Sequence, residues 1–157
     1  MTANPYVTGL SLLARRELSG AQLRQRLLRK GFQQHETDSA VKRLQHEGAL
    51  DDNRTAALHA RQAALIKYRG PRRIVKEIEA KGIASQIAAK AVSELYEELD
   101  VREILVQALN KRLTGQVRDR AEFRRLYNYL VRQGFDGYQV MEALRTRSGV
   151  NATQEDV

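Results

Sequence analysis

A glycine followed by an apolar residue recurs at nearly equal intervals along the chain. Gly31, Gly82 and Gly134 are separated by 51 and then 52 residues. Apolar residues stand eight and four positions before each glycine, and an alanine followed by an apolar residue begins nine positions after it. These apolar positions are Leu23, Leu27 and Val41 in the first copy, Ile74, Ile78 and Val92 in the second, and Leu126, Leu130 and Leu144 in the third. The pattern indicates an internal repeat of about 50 residues.

The repeat predicts a helical fold. Apolar residues three or four positions apart lie on one face of a helix, and glycine is a common residue just past a helix C-terminus. No stretch alternates between polar and apolar residues with period two, so we expect no sheet. A single unit of this size buries a marginal core, which neighbouring units can extend. We therefore expect an all-α chain of three tandem three-helix repeats in an elongated array, with or without curvature.

The boundaries of the repeats follow from two leucine-aspartate openings. Leu50-Asp51-Asp52 opens the second copy and Leu99-Asp100 the third, where an aspartate can cap the helix that follows. The expected repeats are residues 1–50, 51–98 and 99–149, with a loose tail at 150–157.

The first repeat begins with a helix that we expect from Tyr6 to Arg16. Val7, Leu10 and Leu13 recur at helical spacing and predict its apolar face. Residues 1–5 are expected to be a loose segment before this helix.

The 157-residue chain carries a formal net charge of +8 and contains no cysteine. The basic excess suits an anionic partner such as nucleic acid or a protein assembled on it, although a solvated basic surface that favours solubility is the alternative. The missing cysteines exclude disulfides and thiolate metal sites and favour a reducing compartment. No apolar run approaches the length of a membrane span, and the N-terminal residues lack a signal-peptide pattern. We expect a cytoplasmic protein without membrane association.

Several short segments resemble one bacterial family. They are Leu50-Asp51-Asp52, then Gly70-Pro71-Arg72-Arg73-Ile74 and Lys81-Gly82-Ile83, together with LLARRELS and LRQRLLRKGF in the first copy and RRLYNYLVRQGF in the third. In a small basic helical chain, these segments resemble the RecX family from about Leu10 to Leu144. One position departs from the family pattern, because Arg54 is followed by Thr55 where an aromatic residue is usual. This departure leaves one packing contact of the middle repeat open.

The resemblance implies a regulator of the RecA recombinase that acts in DNA repair, homologous recombination and the SOS response. Members of the family bind RecA filaments on single-stranded DNA and suppress ATP hydrolysis, strand exchange and co-protease activity. By this resemblance we expect a RecA filament as the partner, with direct contact to single-stranded DNA as a further option. We expect a monomer without a cofactor.

The candidate binding residues are cations on the second helix of each repeat. Between Pro71 and Gly82 the apolar residues lie on one face of the predicted helix and the cations lie opposite. Arginine side chains can grip carboxylates and phosphates bidentately, so these cations suit an acidic or phosphate-bearing partner. The predicted contact surface comprises Arg69, Arg72, Arg73, Lys76, Arg124 and Arg125, extended by Arg29 and Arg132. The alternative is that these side chains are solvated faces that serve solubility.

Two tyrosines in the third copy allow two interpretations. Tyr127 and Tyr129 flank Leu126 and Leu130, so they can pack in the core or stack on nucleic-acid bases. Helical spacing beside two leucines favours the core.

The case for an enzyme is weak, because no catalytic or metal-binding motif is visible. His35, His46 and His59 share no metal-ligand spacing, and no phosphate-binding glycine motif occurs. We expect no catalytic residue and no metal. Two alternatives to the filament regulator stay open: a helical module that binds DNA directly, with or without reading its grooves, and a scaffold for an acidic protein.

Overall fold

The structure, a computed structural model, describes residues 3–149, and within this range it contains nine α-helices and no strand. The helices are α1 (Pro5–Arg15), α2 (Gly20–Arg29), α3 (Gln34–His46), α4 (Asp52–Leu65), α5 (Pro71–Ala80), α6 (Ser85–Glu98), α7 (Val101–Asn110), α8 (Arg120–Arg132) and α9 (Gly137–Arg147). The expected all-α fold is confirmed. The predicted tail at 150–157 lies outside the described residues, and the three repeat boundaries stay predictions. No helix in residues 3–149 is long and apolar enough to cross a membrane.

The helices group into two compact units. Unit 1 contains the described residues up to His59 together with Glu77–Ala91, and unit 2 contains Ala60–Lys76 and the described residues from Val92 onward. The boundary between the units therefore passes through α4, α5 and α6.

Each unit has an apolar core that the repeat pattern anticipates. In unit 1 the buried cluster consists of Leu18, Leu23, Leu27, Val41, Leu44 and Leu50. In unit 2 it consists of Ile104, Leu105, Ala108, Leu109, Leu113, Val117, Leu126, Leu130, Phe135, Val140 and Leu144. Full burial of one such leucine contributes about 1.5–3 kcal/mol relative to exposure, so these clusters dominate the stability of each unit.

Helix α1 forms as expected, but it starts earlier and turns a different face inward. Asn4 caps it by accepting a hydrogen bond from the backbone N–H of Tyr6 at 2.8 Å, and Pro5 occupies the first turn, where its missing N–H leaves nothing unpaired. The expectation of a loose segment is therefore wrong for Asn4 and Pro5, and residues 1–2 lie outside the described residues. Val7 and Leu10 are 59% and 38% exposed, so they do not belong to the inward face. The α1 side chains that pack on the unit 1 core are those of Tyr6, Leu12 and Leu13.

The three repeated glycines end α2, α5 and α8 in the left-handed conformation that L-residues avoid. Their φ angles are +98° at Gly31, +79° at Gly82 and +105° at Gly134. Their predicted role as helix stops is confirmed. Their surroundings differ, because a Cβ at Gly31 would meet nothing within 4 Å, whereas one at Gly82 or Gly134 would strike another helix.

Within unit 1, the start of α2 meets the end of α5. Ser19 caps α2 through a reciprocal pair of hydrogen bonds with Gln22, at 3.1 and 3.0 Å. Its hydroxyl also donates to the carbonyl of Lys81, just beyond α5. A Cβ at Gly82 would lie 2.5 Å from that of Ala21, so only glycine permits this approach. We call the contact of residues 19–21 with residues 81–82 the α2–α5 joint.

The leucine-aspartate opening of the second copy also supports this joint. Asp51 caps α4, accepting from the N–H of Asn53 at 2.9 Å, while Asp52 accepts from the N–H of Gly20 at 2.8 Å. The two aspartates therefore hold the starts of two different helices, α4 and α2.

Candidate partner-binding surface

The start of α5 is fixed by the end of α8, within unit 2. The N–H groups of Gly70 and Arg72 donate to the carbonyls of Gln133 and Gly134, at 2.8 and 3.1 Å. Pro71 lies between these two donors and has no N–H of its own. N–H groups at the start of α5, which have no partner within their own helix, therefore donate to carbonyls at the end of α8, which likewise have none within theirs. We call this contact of residues 70–73 with residues 133–136 the α5–α8 joint.

Two glycines allow the backbones to approach this closely. A Cβ at Gly70 would lie 2.6 Å from both the carbonyl oxygen of Gly134 and the backbone nitrogen of Phe135. A Cβ at Gly134 would lie 2.8 Å from the carbonyl oxygen of Gly70 and would also strike the backbone of Arg73. Real Cβ contacts are not this short, so glycine is required on both sides of the joint.

Two of the predicted contact residues hold the same joint. Arg72 pairs with Asp136 at 3.2 Å, and Arg73 donates to the side-chain oxygen of Gln133 at 3.0 Å. Both cations lie at the negative end of the α8 dipole, which favours positive charge. Arg72 stays exposed, but Arg73 is partly buried, unlike the fully outward position that the helical wheel predicts. Both arginines therefore serve an internal contact.

The backbone N–H and carbonyl of Arg69 are both hydrogen-bonded within unit 2. Its N–H donates to Ala63 at 3.0 Å, and its carbonyl accepts from the hydroxyl of Tyr96 at 3.0 Å. Burial raises the pKa of Tyr96 to about 12. The preceding residue, Tyr68, has φ +51°, and its ring lies beneath the ammonium of Lys111 at 4.9 Å. This cation–π contact helps to hold a left-handed residue that is not glycine.

The exposed side of α8 carries the other predicted cations of unit 2. Its exposed residues are Arg120, Ala121, Arg124, Arg125, Asn128 and Arg132. At about 100° per residue, Arg124, Arg125, Asn128 and Arg132 span an arc of about 100°, roughly opposite the buried Leu126 and Leu130. Among the described residues, no carboxylate lies within ion-pair distance of these three arginines. We call Arg124, Arg125, Asn128 and Arg132 the α8 cationic face.

The two remaining predicted cations lie elsewhere. Lys76 is exposed on α5 and belongs to unit 2, whereas Arg29 is exposed at the end of α2 and belongs to unit 1. Neither has an ion pair within residues 3–149.

Comparisons with known proteins connect this helical chain to one family. The sequence model described as the first three-helix domain of RecX matches residues 6–44. "Regulatory protein RecX" of Syntrophotalea carbinolica is 37% identical over 134 residues, which cover 83% of this chain and 87% of that protein. The chain belongs to the RecX family. "Regulatory protein RecX" of Thermotoga petrophila is 34% identical over 148 residues, covering 94% and 87%.

Solved RecX structures share the fold. The crystal structure of RecX from Lactobacillus salivarius matches with a TM-score of 0.76 at 18% identity, over 90% of this chain and 93% of that one. A second structure, of a regulatory protein RecX, matches with a TM-score of 0.77 at 19% identity, over 90% and 70%. At these identities the likeness concerns the fold alone.

The departure of this chain from the RecX pattern has a structural account. Thr55 is buried, and its hydroxyl lies 3.0 Å from the carbonyl of Asp51 and 3.4 Å from that of Leu18. Arg54 pairs with Glu17 at 2.5 Å and donates to two carbonyls of the α3–α4 connection. At this position the chain is therefore held by hydrogen bonds of Thr55 and Arg54.

The two tyrosines of α8 belong to the core of this RecX chain. Tyr127 and Tyr129 are partly buried and pack against the unit 2 cluster, and the guanidinium of Arg112 lies 4.2 Å from the centre of the Tyr129 ring. The preference for the core is confirmed.

Sequence reasoning missed the partners of the candidate cations. Gln133 and Asp136 were not among the predicted residues, yet they hold Arg73 and Arg72. The available signal was an acidic residue two positions after the repeated glycine in the third copy only, where the first and second copies have Gln33 and Ala84.

Proposed function

We propose that this chain is a negative regulator of the RecA recombinase. It binds the filament that RecA forms on single-stranded DNA and inhibits ATP hydrolysis, strand exchange and co-protease activity. The observation that supports this proposal is the match to regulatory RecX proteins along 83% and 94% of the chain, which leaves little room for an unrelated function. In this role the protein acts in the cytoplasm, in DNA repair, homologous recombination and the SOS response.

The proposed contact surface is the set of eight cations named above. A filament on DNA offers acidic side chains and phosphates, and arginine binds both. The exposed members without an ion pair in residues 3–149 are Arg29, Lys76, Arg124, Arg125 and Arg132. These can bind a partner without first breaking an internal pair. The regulator works by binding as a monomer, without a cofactor or a reaction of its own.

The test is ATP hydrolysis by preformed RecA filaments on single-stranded DNA while this protein is titrated in. We expect inhibition at substoichiometric amounts that excess free DNA does not relieve, because the filament is the target. Inhibition that needs stoichiometric protein and vanishes on addition of DNA would instead indicate competition for DNA. The proposal fails if a sample shown to be helical by circular dichroism leaves the hydrolysis rate unchanged.

Strand exchange and co-protease activity provide the second measurement. Both need an active filament, so both are expected to fall over the same concentration range as ATP hydrolysis. Loss of ATP hydrolysis with full co-protease activity would contradict a common cause in the filament.

A further inference from the structure

The α8 cationic face has no counter-charge among residues 3–149. The two carboxylates at the start of α8 are engaged elsewhere. Asp119 caps the helix by accepting from the N–H of Glu122 at 2.8 Å, and the largely buried Glu122 pairs with Arg118 at 2.9 Å. Arg124 and Arg125, by contrast, are exposed neighbours without an ion pair in that range. Two adjacent cations repel each other, so carboxylates that reach both of them are attracted to this part of the face.

The residues that follow the described range supply such carboxylates. Residues 150–157, which we call the acidic segment, contain Glu155 and Asp156 and no lysine or arginine. Bonds between arginine and a carboxylate are charge-assisted and can be bidentate. The adjacent carboxylates of the acidic segment therefore complement the adjacent guanidinium groups of Arg124 and Arg125.

The acidic segment is attached close to the start of α8. The N–H of Val117, in the connection before α8, donates to the carbonyl of Arg147 at 2.8 Å. A Cβ at Gly149 would lie 2.9 Å from the side-chain oxygen of Gln116, in the same connection. The described chain therefore ends beside the residues that lead into α8.

The acidic segment is long enough to reach the first part of the α8 cationic face. An extended chain spans about 3.3–3.6 Å per residue, so the stretch from Gly149 to Asp156 can cover about 24 Å. The Cα atoms of Gln116 and Arg124 are at most about 20 Å apart, because only a short connection and one turn of helix separate them. Arg132 lies about 12 Å further along the helix, so Arg124 and its neighbour are the cations best within reach.

A second cationic site near the end of α9 fits the acidic segment less well. A groove of about 480 Å³ between α7 and α9 is lined by Arg102 and Arg145, but also by Glu142. An adjoining hollow is lined by Glu103. These carboxylates offset the two arginines, so the electrostatic attraction for acidic residues is weaker there than on α8.

Attachment to the same chain makes a contact of this kind effective. An exposed ion pair between separate molecules is weak and is screened by salt. A short flexible tether, however, holds the two groups at an effective concentration in the millimolar range. The pairing of the acidic segment with α8 therefore forms within one molecule and does not depend on protein concentration.

We infer that the acidic segment binds the first part of the α8 cationic face in the same molecule, with Glu155 and Asp156 paired to Arg124 and Arg125. The segment then competes with any other anion for these two arginines. The contact itself does not depend on the proposed function, but its effect on the filament rests on that function.

A spin label on the acidic segment tests the contact in the full chain without any partner. Because the chain has no cysteine, Thr153→Cys provides a single attachment site. Broadening of the backbone amide signals in isotope-labelled protein shows which helix lies near the label. The variants Glu155→Gln/Asp156→Asn and Arg124→Gln/Arg125→Gln each remove one side of the pairing.

The matched controls remove exposed charges of unit 2 that have no ion pair within residues 3–149. They are Glu97→Gln/Glu142→Gln for the acidic segment and Arg102→Gln/Arg145→Gln for the arginines. The second control also tests the α7–α9 groove. Circular dichroism shows whether every variant keeps the helical fold.

The amides of residues 121–128 are expected to broaden more strongly than those of α2 and α7. Both variants that remove one side of the pairing should reduce this broadening markedly, and both controls should retain it. Salt of about 0.5 M should weaken it as well, because the charges are then screened over a few ångströms.

Three results would contradict the contact. Broadening concentrated on residues 102–106 would place the acidic segment in the α7–α9 groove. Broadening that Glu155→Gln/Asp156→Asn leaves unchanged would exclude charge pairing. Broadening of isotope-labelled protein by added spin-labelled protein that lacks the isotope would make the contact intermolecular.

The ATP-hydrolysis assay measures the consequence for the filament. Glu155→Gln/Asp156→Asn should inhibit RecA filaments at a concentration about two- to fivefold lower than the wild type, because two cations of the proposed contact surface are released. The control Glu97→Gln/Glu142→Gln should shift that concentration by less than about twofold. Equal gains in the variant and its control would attribute the effect to net charge and would overturn the competition.

The two measurements separate this inference from the proposed function. If the wild type and all variants leave the filament active while the broadening responds as expected, the proposed function fails and the intramolecular contact stands. If the wild type inhibits the filament but the broadening does not respond to either variant, only the present inference fails.

Discussion

The α2–α5 joint of unit 1 and the α5–α8 joint of unit 2 have the same arrangement but different side chains. In each, the start of one second helix meets the glycine-terminated end of the next second helix. In unit 1 the donor is the hydroxyl of Ser19, and the neighbouring residues are Gly20 and Ala21. In unit 2 the donors are backbone N–H groups. The residues equivalent to Ala21 and Gln22 are Arg72 and Arg73.

This difference shows which part of the joint is general. Both joints require a close approach at the glycine, since any Cβ there would strike the facing helix. Lys81 takes part in the first joint through its backbone carbonyl, and only the second joint is held by cationic side chains, so charge is an addition to a contact that can form without it. The arginines of α5 therefore add polar contacts to a joint whose backbone approach does not depend on them. The ion pair of Arg72 with Asp136 makes the second joint sensitive to salt.

The carbonyl of the residue just before each joint accepts a hydrogen bond from a different kind of hydroxyl. The carbonyl of Leu18 lies 3.4 Å from the hydroxyl of Thr55, and that of Arg69 accepts from Tyr96 at 3.0 Å. Threonine does not titrate in water, whereas tyrosine does, so of these two hydroxyls only that of Tyr96 is expected to respond to alkaline pH.

The largest effect is expected from alanine at the repeated glycines. Gly134→Ala should destabilise the protein by about 3 kcal/mol or more, because left-handed strain adds to overlap with the backbone of Arg73 and Gly70. Gly82→Ala should have a smaller effect, since its Cβ meets only the methyl of Ala21. Gly31→Ala should have the smallest, about 1–2 kcal/mol, from strain alone. Urea unfolding followed by circular dichroism measures all three.

A compensating change tests the cause of this order. Ala21→Gly in the Gly82→Ala background removes the overlapping methyl and should restore part of the lost stability. Equal effects at all three glycines would show that the facing helices do not matter.

The cap of the first joint should give the next effect. Ser19→Ala removes the cap of α2 and the bond to Lys81 and should lower stability by about 1–2 kcal/mol. Ser39→Ala, at an exposed position of α3, is the control and should change stability by less than about 0.5 kcal/mol. A Ser19 variant as stable as its control would mean that the α2–α5 joint does not need the serine.

Alkaline pH should weaken the hydrogen bond from Tyr96 to the carbonyl of Arg69, which lies just before the second joint. The pKa of Tyr96 is raised from about 10 in the unfolded chain to about 12 in the folded one, so its contribution is complete below pH 10 and is lost as pH rises toward 12. Tyr96→Phe should lower stability by about 1 kcal/mol at pH 8 through loss of the hydrogen bond to Arg69. Unfolding at pH 8 and pH 11 should show a smaller pH dependence for the variant. Identical pH dependence in both proteins would exclude this role.

The smallest effect is expected at the ion pair of the second joint. Arg72 and Asp136 have side chains that are 69% and 46% exposed, so a double-mutant cycle to alanine should give a coupling of about 0.2–1 kcal/mol, weaker in high salt. A coupling well above this range, or one unaffected by salt, would require a more buried contact. Asp136→Asn separates the ion pair from the role of this residue as the cap of α9.

Local patterns made the helices predictable, and distant contacts limited the rest. The positions of Leu23, Leu27 and Gly31 specify a helix, its buried face and its end within nine residues of sequence. The pairing of Arg72 with Asp136 joins residues 64 positions apart, and no short-range rule finds it. Charge alone identified the α5 and α8 arginines as one set, whereas geometry divides them into joint residues and a face that has no ion pair within residues 3–149.

The first helix shows a different limit. The apolar residues of α1 are distributed around most of the helix, so the sequence permits more than one inward face. They are Val7, Leu10, Leu12 and Leu13. Packing against α3 selects the face with Leu12 and Leu13, and Gly9 gives Leu44 room, since a Cβ there would lie 2.8 Å from its methyl.

The two joints have a direction, which bears on how such chains can be lengthened. Each takes the beginning of one second helix and the glycine end of the following one, so a copy of residues 51–98 placed in tandem would carry both halves of the connection. Gly31, whose side toward solvent is open, has the same left-handed geometry as its two counterparts and could receive the beginning of another second helix. Each further copy of residues 51–98 would then lengthen the protein by one repeat. Each addition would form a new contact between the start of one second helix and the terminal glycine of the next.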